Sequence, residues 1–316
     1  MKVLIASINT AIERLLRVEE QQPGDVHRLL EDSTLAGGKG VNVARVLRQL
    51  QPLLENTPSP LLIGFLGGAT GRLCQELLAQ ENLPGRWCNI AGNTRICEVI
   101  TEEKAPERAS VYNAAGPVIQ PDEHQQLHNL LNEALPDSSA LICTGSLARN
   151  LASDEYAHWI STAREHGVLT LLDAQGPALS QAISARPDII KINRDELRQA
   201  SNGIEQNLPA AWCKQGVHCV IITDGPNPVV AHTPDGVFTI TPPVVNTVSS
   251  VGSGDAYCAG LITSLLARPH AGWEAHLTLA AACGAANASS PTAGLPADAD
   301  LVALQQHCTV SRSTDR

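Results

Sequence analysis

The sequence predicts an α/β fold: a central, mostly parallel β-sheet covered by helices on both faces. Three observations carry that reading. From Ala140 onward short apolar runs alternate with stretches of helical periodicity, ALICT, VLTLLD and DIIKI being the runs. Such alternation makes right-handed βαβ units. The opening run KVLIASI, residues 2–8, is apolar, rich in branched side chains and short, as a buried first strand is. Two glycine-rich turns, at 37–40 and 252–254, each open an apolar helix.

In chain order, Asn9 to Arg14 follows the first strand at a position where α/β sheets place ligand contacts. Leu15 to Leu35 is polar and irregular, with turn chemistry at Pro23-Gly24-Asp25, and suits extended strands over a site. Val43, Val46, Leu47 and Leu50 mark one face of a helix after the first glycine turn. LLIGFL (61–66) predicts a strand, Thr70 to Gln80 a helix, and TRICEVITE (94–102) a half-exposed strand. SVYNAAGP (110–117) is expected as a loop and Pro121 to Leu135 as a helix. After the alternating region, Cys219 to Thr223 adds a strand and Thr233-Pro234-Asp235-Gly236 turns a hairpin. Helices over 273–289 and 299–307 close the core, and residues 309–316 are expected to be a disordered tail.

Composition narrows the function. A net charge of −10 argues against a duplex-sized nucleic-acid footprint. No apolar run reaches membrane-spanning length, so a membrane partner is not expected. Nine cysteines, an odd number with no C-x-x-C pair, argue against a metal cluster or a disulfide framework and point to buried thiols in a reducing cytoplasm.

The stretch VVNTVSSVGSGDAYCAG (244–260) carries the strongest chemical signal. Gly252 and Gly254 permit close approach of backbone to a ligand, and the apolar spacing beyond Asp255 makes 252–255 a helix start. Unpaired amides and the positive end of the helix dipole attract phosphate there. By itself Asp255 reads equally as an N-cap. Gly37-Gly38-Lys39-Gly40 suits an anion in the same way, although it lacks P-loop spacing. Asn9, Gly67, Gly145, Asp173, Asn193, Thr223 and Asp255 all fall at carboxyl ends of predicted strands or beside them, and so share one edge.

GGKGVNVAR, KINRDEL and VGSGDAYCAG, in that order, with GFLGGATG, TRICEVI, NAAGP, TGSL and ACGAANA between and after them, resemble the ribokinase-like (PfkB) carbohydrate kinases. The likeness spans nearly the whole chain and is nearest the hexose-phosphate branch, 1-phosphofructokinase and tagatose-6-phosphate kinase. It implies a three-layer ribokinase-like sandwich over 1–308 with a small β lid from about 12–35 and 88–113. It also implies ATP-dependent phosphoryl transfer to a ketohexose phosphate, fructose 1-phosphate first among candidates. Tagatose 6-phosphate, another sugar or a nucleoside is the alternative acceptor, and a sugar-phosphate or nucleotide sensor without turnover is the alternative of another class.

Carried over by position, Asp255 matches the catalytic base and Gly252, Ser253 and Gly254 the anion hole. Asn193 and Glu196 match an N-x-x-E motif associated with Mg²⁺, whose hard-oxygen chemistry they suit, with a capping box as the structural alternative. Lys191, Thr223, Gly225 and Asn287 match nucleotide contacts. Gly38, Lys39, Asn42, Arg95, Ser110 and Asn113 match the sugar-phosphate side, with Glu13 standing where an aspartate is common and Val111 where a carboxylate is common. The family also suggests a monovalent cation near the anion hole and a homodimer paired through the lid.

Overall fold

A computed structural model describes residues 1–105, 109–201 and 207–313. The first strand, β1 (Lys2–Ser7), lies inside a ten-stranded sheet, two strands from one edge. To one side stand β4 (Ser59–Gly67) and β5 (Gly85–Ile90), and to the other β8 (Ala140–Thr144), β9 (Leu169–Asp173), β10 (Ile189–Asn193) and β11 (Cys219–Asp224). These seven are parallel to one another. The hairpin β12 (Asn227–Thr233) and β13 (Gly236–Thr241) continues the sheet antiparallel. Beyond it, residues expected as a disordered tail form a last strand, β14 (Thr309–Ser313), paired to β13 from Thr241↔Thr309 to Val237↔Ser313. Its stability comes from the ladder that β13 offers, a partner distant in sequence; residues 314–316 lie outside the described residues.

The period-two alternation of a strand divides β1 between two cores. Val3 and Ile5 enter the layer of α1 (Lys39–Leu50), α2 (Gly68–Gln80), α8 (Ser253–Ala267) and α9 (Trp273–Ala288). Leu4 and Ala6 enter the opposite layer, of α3 (Pro121–Ala134), α4 (Glu155–Glu165), α5 (Gly176–Ala182), α6 (Arg194–Ser201) and α7 (Leu208–Lys214). A tenth helix, α10 (Leu301–Gln306), packs on α9. Helix, sheet and helix are the three layers expected.

Four further strands form a separate small sheet in the order β3-β2-β6-β7, from Glu31–Gly37, Ala11–Val18, Arg95–Glu102 and Ala109–Asn113. The stretch 110–117, expected as a loop, therefore begins as strand β7, in register with β6 through Val99↔Val111 and Cys97↔Asn113. Residues 88–90, expected in the small sheet, belong instead to β5 of the large one, where Phe65 pairs with Cys88. Both departures follow from pairing partners that local composition does not reveal.

From β1 the chain goes to β4 on one side and, later, to β8 on the other. The reversal opens a crevice past the carboxyl ends of β1 and β8, where parallel α/β sheets bind ligands. The small sheet stands over that crevice, because β1 runs into β2 through only Ile8, Asn9 and Thr10.

Candidate active site

A cavity of about 440 Å³ occupies the crevice. Its floor is made by Ser7 at the end of β1 and Thr144 and Gly145 at the end of β8, and its roof by Glu13, Arg95 and Val111 of the small sheet. Two helix starts complete it, contributing Lys39 and Asn42 from α1 and Gly252 and Asp255 from α8.

Both helix starts need glycine. Gly38, the N-cap of α1, has φ 99°, and Gly252, the N-cap of α8, has φ 84°, backbone conformations that a β-carbon strains. At Gly252 a Cβ would also meet the Ala293 methyl at 2.6 Å. Asp255 then falls in the first turn of α8, 5% exposed, and accepts a hydrogen bond from Asn42 Nδ2 at 2.9 Å. It does not close a side-chain cap on its own helix. Burial drives its carboxyl up, Lys39 opposes this, the Asp173 charge reinforces it, and the outcome is a pKa of about 6.

Asn42 is itself held. Arg45 Nη1 donates to Asn42 Oδ1 at 2.9 Å and to the Ala293 carbonyl at 3.2 Å, while its Nη2 donates to the Ala36 carbonyl at 2.6 Å and to Glu81 Oε1 at 2.8 Å. A chain of fixed partners thus runs from Glu81 through Arg45 and Asn42 to Asp255. Neither Arg45 nor Glu81 is singled out by sequence pattern, since an arginine three residues beyond Asn42 on a helix reads as a surface cation.

Asp173, at the end of β9, is fully buried and serves two lysines. Its Oδ1 accepts from Lys39 Nζ and its Oδ2 from Lys191 Nζ, each at 3.2 Å. Burial is the largest influence on both ammonium groups and works against them, but Asp173 together with Asp255 and, for Lys39, Glu196 outweighs it and holds each above the ordinary lysine value. The same lysines outweigh the burial of Asp173 and keep its carboxyl below its usual range. The sequence places Asp173 on the strand-end edge but gives it no role; its position between two lysines 152 residues apart is a product of the fold.

Lys191 also approaches the first turn of α8: a Cβ on Gly254 would lie 2.5 Å from Lys191 Nζ. Anion-attracting backbone and ammonium therefore meet at one point, the arrangement expected of a phosphate cradle. Lys39 lines the cavity, but its ammonium is turned to Asp173 and lies 3.7 Å from Glu196 Oε1.

Asn193 and Glu196 form the reciprocal capping pair that sequence offered as the alternative. Asn193 N–H donates to Glu196 Oε2 and Glu196 N–H to Asn193 Oδ1, both at 2.8 Å. The cap occupies one carboxylate oxygen, and the other, Oε1, faces Lys39. Thr223 is the register neighbour of Asn193 on β11, and Gly225, at φ 55°, turns the chain just beyond with open space above it. Neither lines the cavity, which ends short of that edge.

On the roof, Arg95 is anchored by Nε to the Asn9 carbonyl at 3.0 Å and by Nη1 to the Ala114 carbonyl at 3.1 Å. Glu13 lines the cavity, its carboxyl raised by burial against the opposing pull of Arg45 and Arg95. Asn113 and Val111 line it as well, but Ser110 does not. Alternate residues of β7 point to opposite faces, so if 111 and 113 face the cavity, 110 faces away.

Asn287 also departs from expectation. It is fully buried, its Nδ2 donating to the Val251 carbonyl at 2.8 Å and to Ser253 Oγ at 3.1 Å and its Oδ1 accepting from Gly294 N–H at 2.8 Å. With these contacts it braces the Val251–Ser253 turn and presents nothing to a nucleotide base.

Known proteins similar to this chain are sugar-phosphate kinases. Over 274 residues the chain is 28% identical to the tagatose-6-phosphate kinase of Staphylococcus epidermidis, covering 84% of this chain and 85% of that one. It is 26% identical over 269 residues to the 1-phosphofructokinase of Bacillus subtilis, covering 83% and 85%. Among solved structures, phosphofructokinase-2 from Escherichia coli in complex with potassium has the same fold, with a TM-score of 0.86 at 23% identity over 96% of this chain and 98% of that one. Residues 2–300 match the pfkB family of carbohydrate kinases, and the chain belongs to that family.

Proposed function

We propose that this carbohydrate kinase transfers the terminal phosphoryl group of ATP to a hydroxyl of a ketohexose phosphate, fructose 1-phosphate giving the 1,6-bisphosphate. The observation that carries this reading is Asp255, buried at the first turn of α8 between Asn42 and the Lys39 side of one cavity. The acceptor hydroxyl meets the Asp255 carboxylate, its oxygen forms the new bond to phosphorus, the bond from phosphorus to the ADP oxygen breaks, and the proton passes to Asp255. Asn42 holds that carboxylate in one orientation. The amides of Gly254 and Asp255, with no partner inside the helix, and the Lys191 ammonium receive the charge gathering on the transferring oxygens.

Arg95 and Lys39 give an acidic protein two cations around an anionic acceptor, which an unphosphorylated sugar would not require. Glu196 Oε1, the carboxylate oxygen left over from the cap, suits Mg²⁺ as a hard ligand. When bound, that ion offsets the charge of the nucleotide phosphates. The small sheet acts as a lid on the acceptor and, with Ile96 and Tyr112 exposed on it and absent from the cavity lining, as a surface for pairing two copies. No described helix is long and apolar enough to cross a membrane, and all nine cysteines are free, which supports a cytoplasmic setting. A monovalent cation near the turn at 251–254 is proposed from the potassium complex of the similar fold.

The test is ADP release from Mg-ATP against fructose 1-phosphate, tagatose 6-phosphate, fructose 6-phosphate, fructose, ribose and adenosine. Preferential turnover of fructose 1-phosphate supports the proposal. Turnover confined to unphosphorylated acceptors overturns the phosphate clamp, and binding of sugar phosphate without turnover overturns the kinase reaction.

A further inference from the structure

Outside the cavity and its neighbours, one cluster of side chains has no role in phosphoryl transfer. His124 and His128, one turn apart on α3, converge on Glu155 at the start of α4. His124 Nε2 lies 2.7 Å from Glu155 Oε2, His128 Nε2 lies 2.8 Å from Glu155 Oε1, and the two Nε2 atoms are 2.9 Å apart. Glu155 is buried, and Trp159 Nε1 donates to its Oε1 at 2.8 Å. None of these residues lines the cavity.

With Glu155 as a carboxylate, which has no proton to give, the three contacts cannot all be hydrogen bonds. If both imidazoles carry a proton on Nε2, each satisfies the carboxylate, but the two N–H groups then face each other at 2.9 Å. If either Nε2 is bare, its lone pair faces a carboxylate oxygen with no proton between them. A single cation at the centre removes the conflict, because all three groups then present lone pairs to it.

We propose that His124, His128 and Glu155 bind one zinc ion that staples α3 to α4. The donor set, two imidazoles and a carboxylate, is one that zinc accepts, with a fourth position left for water. Tetrahedral coordination separates ligand atoms by roughly 3.3 Å, from bonds of about 2.0–2.1 Å, so the three atoms part by about half an ångström to admit the ion. A helix i, i+4 pair and a side chain at a helix start move that far by small side-chain rotations. Trp159 supplies the outer contact that orients the carboxylate, as metal sites require. No cysteine joins the cluster: Cys143, whose thiol feels the Glu155 charge, is fully buried and held protonated chiefly by that burial.

The site has a position of some consequence. Tyr156, adjacent to Glu155, donates from its hydroxyl to the carbonyls of Thr144 at 2.9 Å and Gly145 at 3.2 Å, and these two residues line the cavity.

The experiment uses the tag-free full chain, stripped with chelator and freed of Mg²⁺, titrated with ZnCl₂ by calorimetry and with Co²⁺ by visible absorption. The expected result is one tight zinc per chain, tetrahedral cobalt bands that zinc displaces, and an increase in Tm with zinc. His124→Gln, at a partly exposed position chosen to leave the fold intact, and His128→Gln should each weaken zinc binding at least about tenfold and abolish the Tm increase. A stoichiometry of zero, or zinc binding unchanged in a folded His124→Gln protein, overturns the proposal. Kinase activity is not the readout, so the result stands whatever acceptor the enzyme uses.

Discussion

Asn42 donates to Asp255 across two helix starts separated by 213 positions in the chain, and this bond orients the proposed base and is one of the contacts that lower its pKa against burial. Without it, the carboxyl retains its burial and the repulsion of Asp173 but loses a contact that favours the charged form. Several consequences can be measured.

The pH dependence has a definite sign. With Asp255 at about 6, kcat/KM should rise with pH through a limb centred near 6 and level off above it, because the carboxylate is the active form. Stability should run the other way. An aspartate raised when folded contributes stability below its unfolded pKa that is lost as pH rises through about 6. The gap between an ordinary 3.8 and about 6 corresponds to ~3 kcal/mol, so Asp255→Asn should raise Tm by a few degrees at pH 8. A flat rate profile from about pH 5 to about pH 8 would be inconsistent with Asp255 as the base.

Asn42→Ala should move that limb to higher pH, since the bond it removes lowers the Asp255 pKa. It should also reduce kcat by roughly 10- to 100-fold through loss of orientation. Steady-state rates across pH separate the two effects, and an unmoved limb would show that Asn42 does not act on the base.

Asp173→Asn leaves Lys39 and Lys191 sharing no counter-ion at the end of β9. Breaking a buried pair in this way costs about 3–5 kcal/mol, visible as a lower urea midpoint. Because the Asp173 charge raises the Asp255 pKa, the rate limb should shift to lower pH in whatever fraction remains folded.

Gly254→Ala places a methyl group 2.5 Å from the Lys191 ammonium, which Asp173 prevents from simply swinging aside. Turnover should fall at least about tenfold, as when one donor to the transition state is displaced, with little loss of Tm. Normal kcat in this variant would remove Lys191 and the α8 start from the proposed phosphate cradle.

Ser110→Ala and Arg95→Ala separate the two faces of the small sheet. Arg95 lines the cavity, so its loss should raise KM for a phosphorylated acceptor by roughly 10-fold or more. Ser110 faces away, and its loss should leave KM within about twofold. Equal effects would place β7 in a different register.

The parts of the fold that local pattern specifies are legible in the sequence. The helix starts at 38 and 252 show as glycine turns before apolar periodicity, and the strands from β8 to β11 show as short apolar runs between helices. What pairing decides is not legible in the same way. TVSRS becomes β14 because β13 presents a free edge, and Ser110 and Val111 exchange expected roles because strand parity is fixed by β6. Asp173, Arg45 and Asn287 act through partners far along the chain, so no local signal announces them; Asn287, at the end of an Ala-rich helix, is used up in bracing Val251 and Ser253. Asn193 and Glu196 realise the capping box that their spacing allows, leaving one oxygen for a further ligand.

The central claim is that Asp255 takes the acceptor's proton, and Asp255→Asn tests it most directly. The variant keeps the size of the side chain and its capacity to accept from Asn42. With fructose 1-phosphate and Mg-ATP, turnover should fall by about 10²–10⁴-fold while acceptor affinity, measured by calorimetry, changes by no more than a few-fold. Turnover within a few-fold of the unmodified enzyme, with affinity intact, would contradict the account.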